Sequence, residues 1–294
     1  MSAIADDTPP PSPPVTLPPA RTVSAPGRGE LFLRDSGGNG SPVMLLHGWM
    51  ASADLNFWGA YDALIQAGYR VLAIDHRGHG RGLRSIVPFR LSDCAADAAA
   101  ALQLLEAAPA TVVGYSMGGA IAQLMARDHA EFVSGLVLAG TTHDWTEPRE
   151  RRFFRAMGVL WLLVALAPNW LWRNALRREG LREPELVNWM ISELLRTSAR
   201  DLAEAGRELG RFDSRPWIGS LRLPAAVVVT TRDTVVLPRK QRSLAAQLGA
   251  RVVEAPIEHL EVIGRRFNAP LLAAIEAVAA DRQGVTPRAS PRMP

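Results

Sequence analysis

Short apolar runs alternate with longer helix-like segments through most of this chain, and that alternation leaves few folds open. The runs Val43–His47, Arg70–Asp75, Ala110–Tyr115, Ser134–Gly140, Ala225–Thr231 and Arg251–Ala255 read as strands buried on both faces. The segments Phe57–Ala67, Cys94–Ala107, Gly118–Asp128, Arg239–Leu248 and Phe267–Ala280 read as helices. Strand–helix alternation implies the α/β class, a mostly parallel sheet with helices on both faces. Right-handed crossovers then bring the loops after the strands to one edge, where open α/β sheets place their sites. Glu30–Arg34 adds an edge strand.

The pattern stops between Asp144 and Arg222, which hold no strand-like run and six of the eight tryptophans. We read residues 144–222 as several helices inserted as a cap or lid, and 29–143 with 223–281 as the α/β core. Residues 1–28 carry eight of the 22 prolines and read as a loose, extended tail. They lack a basic start and an apolar stretch, so they do not read as a secretory signal peptide. Residues 282–294 read as a second loose tail.

Charge locates itself on the same map. The 294 residues carry +4. The insertion accounts for +3, with 14 arginines against 11 acids, and the final tail for another +3, which leaves the core mildly acidic. That distribution argues against a nucleic-acid partner. A single cysteine, Cys94, excludes a disulfide framework or a multi-cysteine metal centre, and we expect it to be an inert core residue.

The chemistry sits in Gly114-Tyr115-Ser116-Met117-Gly118-Gly119. This is G-x-S-x-G, with an apolar strand before it and a helical segment after it, the setting of a nucleophile elbow. A tight turn there exposes Ser116 Oγ and aims the Met117 N–H toward a developing negative charge. The competing reading, a glycine-rich turn with an incidental serine, ignores that context.

A serine needs a base, and the base an orienting acid, in the order Ser, Asp/Glu, His for such an elbow. Of six histidines only His259 follows the last strand-like run. Asp233 follows the strand before it, and Asp144 is a substitute acid. A second oxyanion donor must come from another loop. His47-Gly48-Trp49-Met50 supplies the Trp49 N–H, with His47 as a structural turn residue. Met50, Tyr115 and Trp161 are candidate walls of the substrate pocket, although core packing explains such side chains about as well. Asp75-His76-Arg77-Gly78-His79-Gly80 reads as a rigid hydrogen-bonded turn in preference to a metal site.

Taken together, His47-Gly48-Trp49, Asp75-x-Arg77-Gly78-x-Gly80, the Ser116 elbow, Asp233 and His259 resemble the α/β-hydrolase superfamily, over about Gly29 to Ala280. The resemblance implies an eight-stranded type of sheet, Ser116 as nucleophile, His259 as base, Asp233 as acid, and the Trp49 and Met117 amides as oxyanion donors. In two respects the chain departs from the usual pattern. The first strands are hard to find before Glu30, and Ile257-Glu258 precede His259 where many relatives carry a glycine.

The expected reaction is hydrolysis of a carboxylic ester through an acyl-enzyme, without metal or organic cofactor. Carbon–carbon bond hydrolysis, thioester hydrolysis and cofactor-free perhydrolysis use the same three residues, and a non-catalytic receptor has no need of all of them. The apolar run Met157–Ala167 is too short for a membrane span of about 20 residues. It reads as a cap helix over an apolar pocket suited to a medium or long acyl ester, with peripheral contact to a membrane or lipid surface as the alternative. The expected partner is a small-molecule ester and the expected location cytoplasmic; oligomeric state is not legible.

Overall fold

The computed structural model describes residues 11–178 and 180–284. Eight strands form one sheet: β1 (Ala20–Ala25), β2 (Gly29–Asp35), β3 (Pro42–Leu46), β4 (Arg70–Ile74), β5 (Ala110–Tyr115), β6 (Val133–Ala139), β7 (Ala225–Thr230) and β8 (Arg251–Ala255), in the order β1-β2-β4-β3-β5-β6-β7-β8. From β4 across to β8 neighbouring strands run parallel, while β1 and β2 form an antiparallel hairpin that joins β4 antiparallel.

Side chains alternate between two cores, as the period of a strand requires. Met44, Leu46, Val112, Leu136 and Leu138 face α3 (Leu91–Leu104), α4 (Met117–Asp128) and α10 (Pro238–Leu248). Val43, Leu45, Val113, Val137 and Val228 face α1 (Ala53–Phe57), α2 (Tyr61–Gln66) and α11 (Asn268–Gly284), against Phe57, Tyr61, Phe267 and Leu271. Because both faces are covered, β3 to β7 read as continuous apolar runs, whereas β8, read as buried, is an edge strand and mostly exposed.

Between β6 and β7 the described residues form five α-helices: α5 (Pro148–Arg155), α6 (Met157–Leu166), α7 (Pro168–Arg178), α8 (Pro184–Leu194) and α9 (Ala199–Leu209). The last four build a third apolar cluster around Trp172, Leu176, Trp189, Ile191 and Leu202, closed by Ala51 and Leu55 from the loop and helix after β3.

Three expectations need correction. Ala20–Ala25 lies within the stretch read as a loose tail but forms β1, paired with β2 from Ala20↔Arg34 to Ala25↔Gly29. Its sequence, ARTVSA, lacks an apolar alternation, since β1 is an edge strand exposed over most of its length. Consequently Glu30–Arg34 belongs to the second strand and not to the edge. Third, α11 runs on to Gly284, past the boundary read at 281. The rest of that C-terminal tail, residues 285–294, and the first ten residues of the N-terminal one lie outside the described residues.

Candidate active site

Sheet register gathers the site. Leu46 lies opposite Gly114, so the loop after β3 emerges beside the turn after β5. Thr230 lies opposite Ala255, so the loops after β7 and β8 emerge together. Each loop carries one of the residues singled out above.

Ser116 sits between β5 and α4 with φ 53° and ψ −116°, a conformation that L residues rarely adopt. Its surroundings hold it there. The Ser116 N–H donates to Ala139 O (3.0 Å), while Ser116 O accepts from the Gly119 N–H (2.9 Å) and from Thr141 Oγ1 (2.8 Å). Only glycine fits at two flanking positions. A Cβ on Gly114 would collide with the Gly118 backbone, and one on Gly118 with the carbonyls of Leu46 and His47. The elbow therefore packs directly on the end of β3.

His259 bridges the other two side chains. Its Nδ1 lies 2.7 Å from Asp233 Oδ2 and its Nε2 3.2 Å from Ser116 Oγ. With Nδ1–H donating to the carboxylate, Nε2 is the acceptor facing the serine hydroxyl. Asp233 is itself fixed: Oδ1 accepts the Val235 and Val236 N–H groups (both 2.8 Å), and Oδ2 accepts Thr230 Oγ1 (2.7 Å). Ser116 and His259 are each 8% exposed, so the dyad meets little water. The Trp49 and Met117 N–H groups have no acceptor among the described residues.

The other candidates fall elsewhere. Asp144 does not meet His259. Its Oδ1 accepts from the Thr146 N–H and Oγ1, and its carboxylate also faces His143 and Lys240. Burial favours the neutral acid, but the bonds from Thr146 and the charges of Lys240 and Arg215 outweigh it and hold Asp144 at about 2. Tyr115, read as a pocket wall, lies beneath the histidine instead. Its hydroxyl donates to His259 O (2.8 Å), and its ring lies tilted at 38° to the imidazole with centroids 5.1 Å apart. Trp161 is not enclosed either, being 45% exposed on α6, a helix whose nearly unbroken apolar sequence gave no sign of its inner face. Met50 is partly buried with φ 69° and packs against the helical cluster.

His47 is a turn residue, as expected. Its Nε2 accepts the His76 N–H (3.0 Å), which leaves Nδ1–H to donate to Gly48 O (2.8 Å). Asp75 accepts the Ala53 and Arg81 N–H groups, and Arg77 forks onto Asp97, so residues 75–80 form a hydrogen-bonded turn.

Several supports carry no sequence signal. Asn56 Oδ1 accepts the Gly48 N–H (2.7 Å). Trp49 Nε1 donates to Leu202 O in α9 (2.9 Å), and its ring meets Phe153 and Phe154 of α5. Ser52 Oγ donates to Glu193 Oε2 in α8 (2.7 Å), and Arg81 and Arg196 bind the same carboxylate. The loop after β3 is thus tied to the inserted helices at both ends.

An eight-stranded, mostly parallel sheet carrying these loops at one edge is the fold of an α/β-hydrolase enzyme. Within that class, the family described as Serine aminopeptidase, S33, matches residues 40–258, and the chain belongs to it. Among curated relatives it is 26% identical over 186 residues to 3-oxoadipate enol-lactonase 2 of Acinetobacter baylyi, covering 62% of this chain and 68% of that one. It is 40% identical over 119 residues to a non-heme haloperoxidase of Rhodococcus erythropolis, a match spanning 40% of this chain and 43% of that protein. The crystal structure of the enol-lactonase from Burkholderia xenovorans shares the fold, with a TM-score of 0.74 at 24% identity, covering 88% of this chain and 100% of that one.

Proposed function

We propose that the chain is a serine hydrolase that cleaves carboxylic esters of medium or long apolar acyl groups through an acyl-enzyme. The observation that carries this reading is His259 within hydrogen-bond reach of both Ser116 and Asp233. In the proposed reaction His259 Nε2 takes the Ser116 proton as Oγ attacks the ester carbonyl. The Asp233 carboxylate stabilises the imidazolium that forms. The tetrahedral oxyanion turns toward the Trp49 N–H in the loop after β3 and the Met117 N–H at the start of α4, and each donor is worth roughly 3–4 kcal/mol. His259 then protonates the departing alcohol, and water resolves the acyl-enzyme by the same steps.

The inserted helices act as the cap in this reading, and their third cluster, which takes in Met50, makes the acyl side apolar. The enol-lactonase similarity supports ester chemistry, since a lactone is an internal ester. The 40% match to the haloperoxidase favours one second reading, in which peroxide replaces water and the acyl-enzyme yields a peracid.

Turnover of p-nitrophenyl esters of graded length tests the proposal. We expect octanoate to be preferred over acetate, with turnover abolished in Ser116→Ala. Preference for acetate sinks the apolar acyl site, and undiminished turnover in Ser116→Ala sinks the mechanism. Peracid formation from the same ester and hydrogen peroxide, at a rate above hydrolysis, selects the second reading.

A further inference from the structure

Helix α6 leaves most of an uncharged, apolar surface in solvent. Of its ten residues only Met157 and Val164 are buried. Leu166 is 74% exposed and Val159 61%, with Leu162 and Leu163 nearly half exposed. Trp170 in the first turn of α7 is 66% exposed, and Phe153 in α5 50%. A monomer rarely keeps so many large apolar side chains together in water without a use for them.

Charge identifies what covers them. Residues 148–182 hold eight arginines against Glu150 and Glu179, a net +6 that leaves −2 for the rest of the chain. Arg151, Arg152 and Arg155 precede the apolar helix and Arg177, Arg178 and Arg182 follow it, all exposed. None of these six has an acidic partner among the described residues. A second copy docked face to face would set +6 against +6. An apolar helix flanked by arginines, with exposed tryptophans, suits the boundary between headgroups and acyl chains of an anionic bilayer. At 1.5 Å per residue α6 is only about 15 Å long, half the hydrocarbon thickness, so it lies in the interface and does not cross it. No helix among the described residues is long and apolar enough to cross a membrane.

We propose that α6 and its arginine-bearing flanks dock the protein on anionic phospholipid surfaces. The consequence for substrate, long-chain esters taken from the bilayer, rests on the reading of Ser116 given above; docking does not. Helix α6 packs on α9, which receives the Trp49 indole, so the docked helix stands one element away from the loop beside Ser116.

The test is sedimentation of the full chain, as Ser116→Ala, with vesicles of phosphatidylcholine alone or mixed with phosphatidylglycerol. We expect binding to the mixed vesicles, weakening with salt, and a tryptophan emission that brominated lipid quenches. The double variant Leu162→Asp/Leu166→Asp should lose at least about tenfold in affinity, as should Arg151→Glu/Arg152→Glu. Circular dichroism and wild-type-background hydrolysis of a soluble short ester, both unchanged by these substitutions, check the fold. Equal binding by the Leu162→Asp/Leu166→Asp variant, absence of binding by a folded chain, salt-sensitive binding without quenching, or dimerisation abolished by the same variant each overturns docking. Docking without any esterase activity of the wild type retains this surface and removes the ester reading instead.

Discussion

Asp233 and Asp144 were the two acids open to His259, and their partners now separate them. Asp233 keeps one oxygen on the Nδ1 side of His259, whereas the Asp144 carboxylate serves Thr146, His143 and Lys240. Asp233→Asn should lower kcat on the order of 10⁴-fold, because the amide cannot hold the same imidazole tautomer. Asp144→Asn should leave kcat within about threefold and show up in stability instead. Steady-state kinetics on one soluble ester compares both, and a large kcat loss in Asp144→Asn alone reverses the assignment. Tyr115→Phe removes the bond to His259 O and should cost about 1 kcal/mol in denaturant unfolding, with a drop in kcat at unchanged KM. Ser116, Asp233 and His259 were legible because chain order and a local motif select them. The Tyr115 hydroxyl was not, since its acceptor lies 144 residues away and no local pattern records it.

At the scale of elements, strands buried on both faces announced themselves, while β1 did not. Its partner is a single neighbouring strand and its outer face is solvent, so ARTVSA carries no apolar rhythm. Helix α6 failed in the opposite way: an apolar residue at nearly every position hides which face is inside. The turns after β3 and β4 make a pH prediction. His47, His76 and His79 cluster with ring centroids 4.2 and 5.6 Å from His47. Burial lowers all three, His76 to about 3 and His79 to about 4, from the ordinary 6.5. The unfolded chain therefore takes up protons that the folded chain refuses, and stability falls as pH drops below about 6.5 toward 4. Asp75, which burial raises to about 6, works the other way between 3.8 and 6, but one aspartate opposes three histidines. Urea midpoints measured from pH 7 to pH 4.5 should fall, with His76→Asn flattening the slope; a midpoint that rises on acidification contradicts the account.

Across the whole molecule, the inserted helices and the core share buried polar contacts as well as apolar ones. Glu193 is 1% exposed, and although burial favours its neutral form, Ser52 and Arg81 hold it below its ordinary value. Removing it leaves the Ser52 hydroxyl without its acceptor and Arg81 with Asp54 alone as a hydrogen-bonded carboxylate, so Glu193→Ala should cost about 1–3 kcal/mol, read as a lowered urea midpoint. Arg81 keeps some access to water, which sets the estimate below that of a fully buried pair. The charge of +4 resolves at this scale too: residues 148–182 carry +6 and the rest of the chain a net −2. Everything proposed about chemistry converges on one atom, Ser116 Oγ. Intact-mass and peptide mapping after fluorophosphonate treatment tests it most directly. We expect one adduct per chain, on the peptide that carries Ser116, absent from Ser116→Ala and formed far more slowly in His259→Ala. A folded wild-type chain that takes no label, or a Ser116→Ala chain labelled as well as wild type, would contradict it.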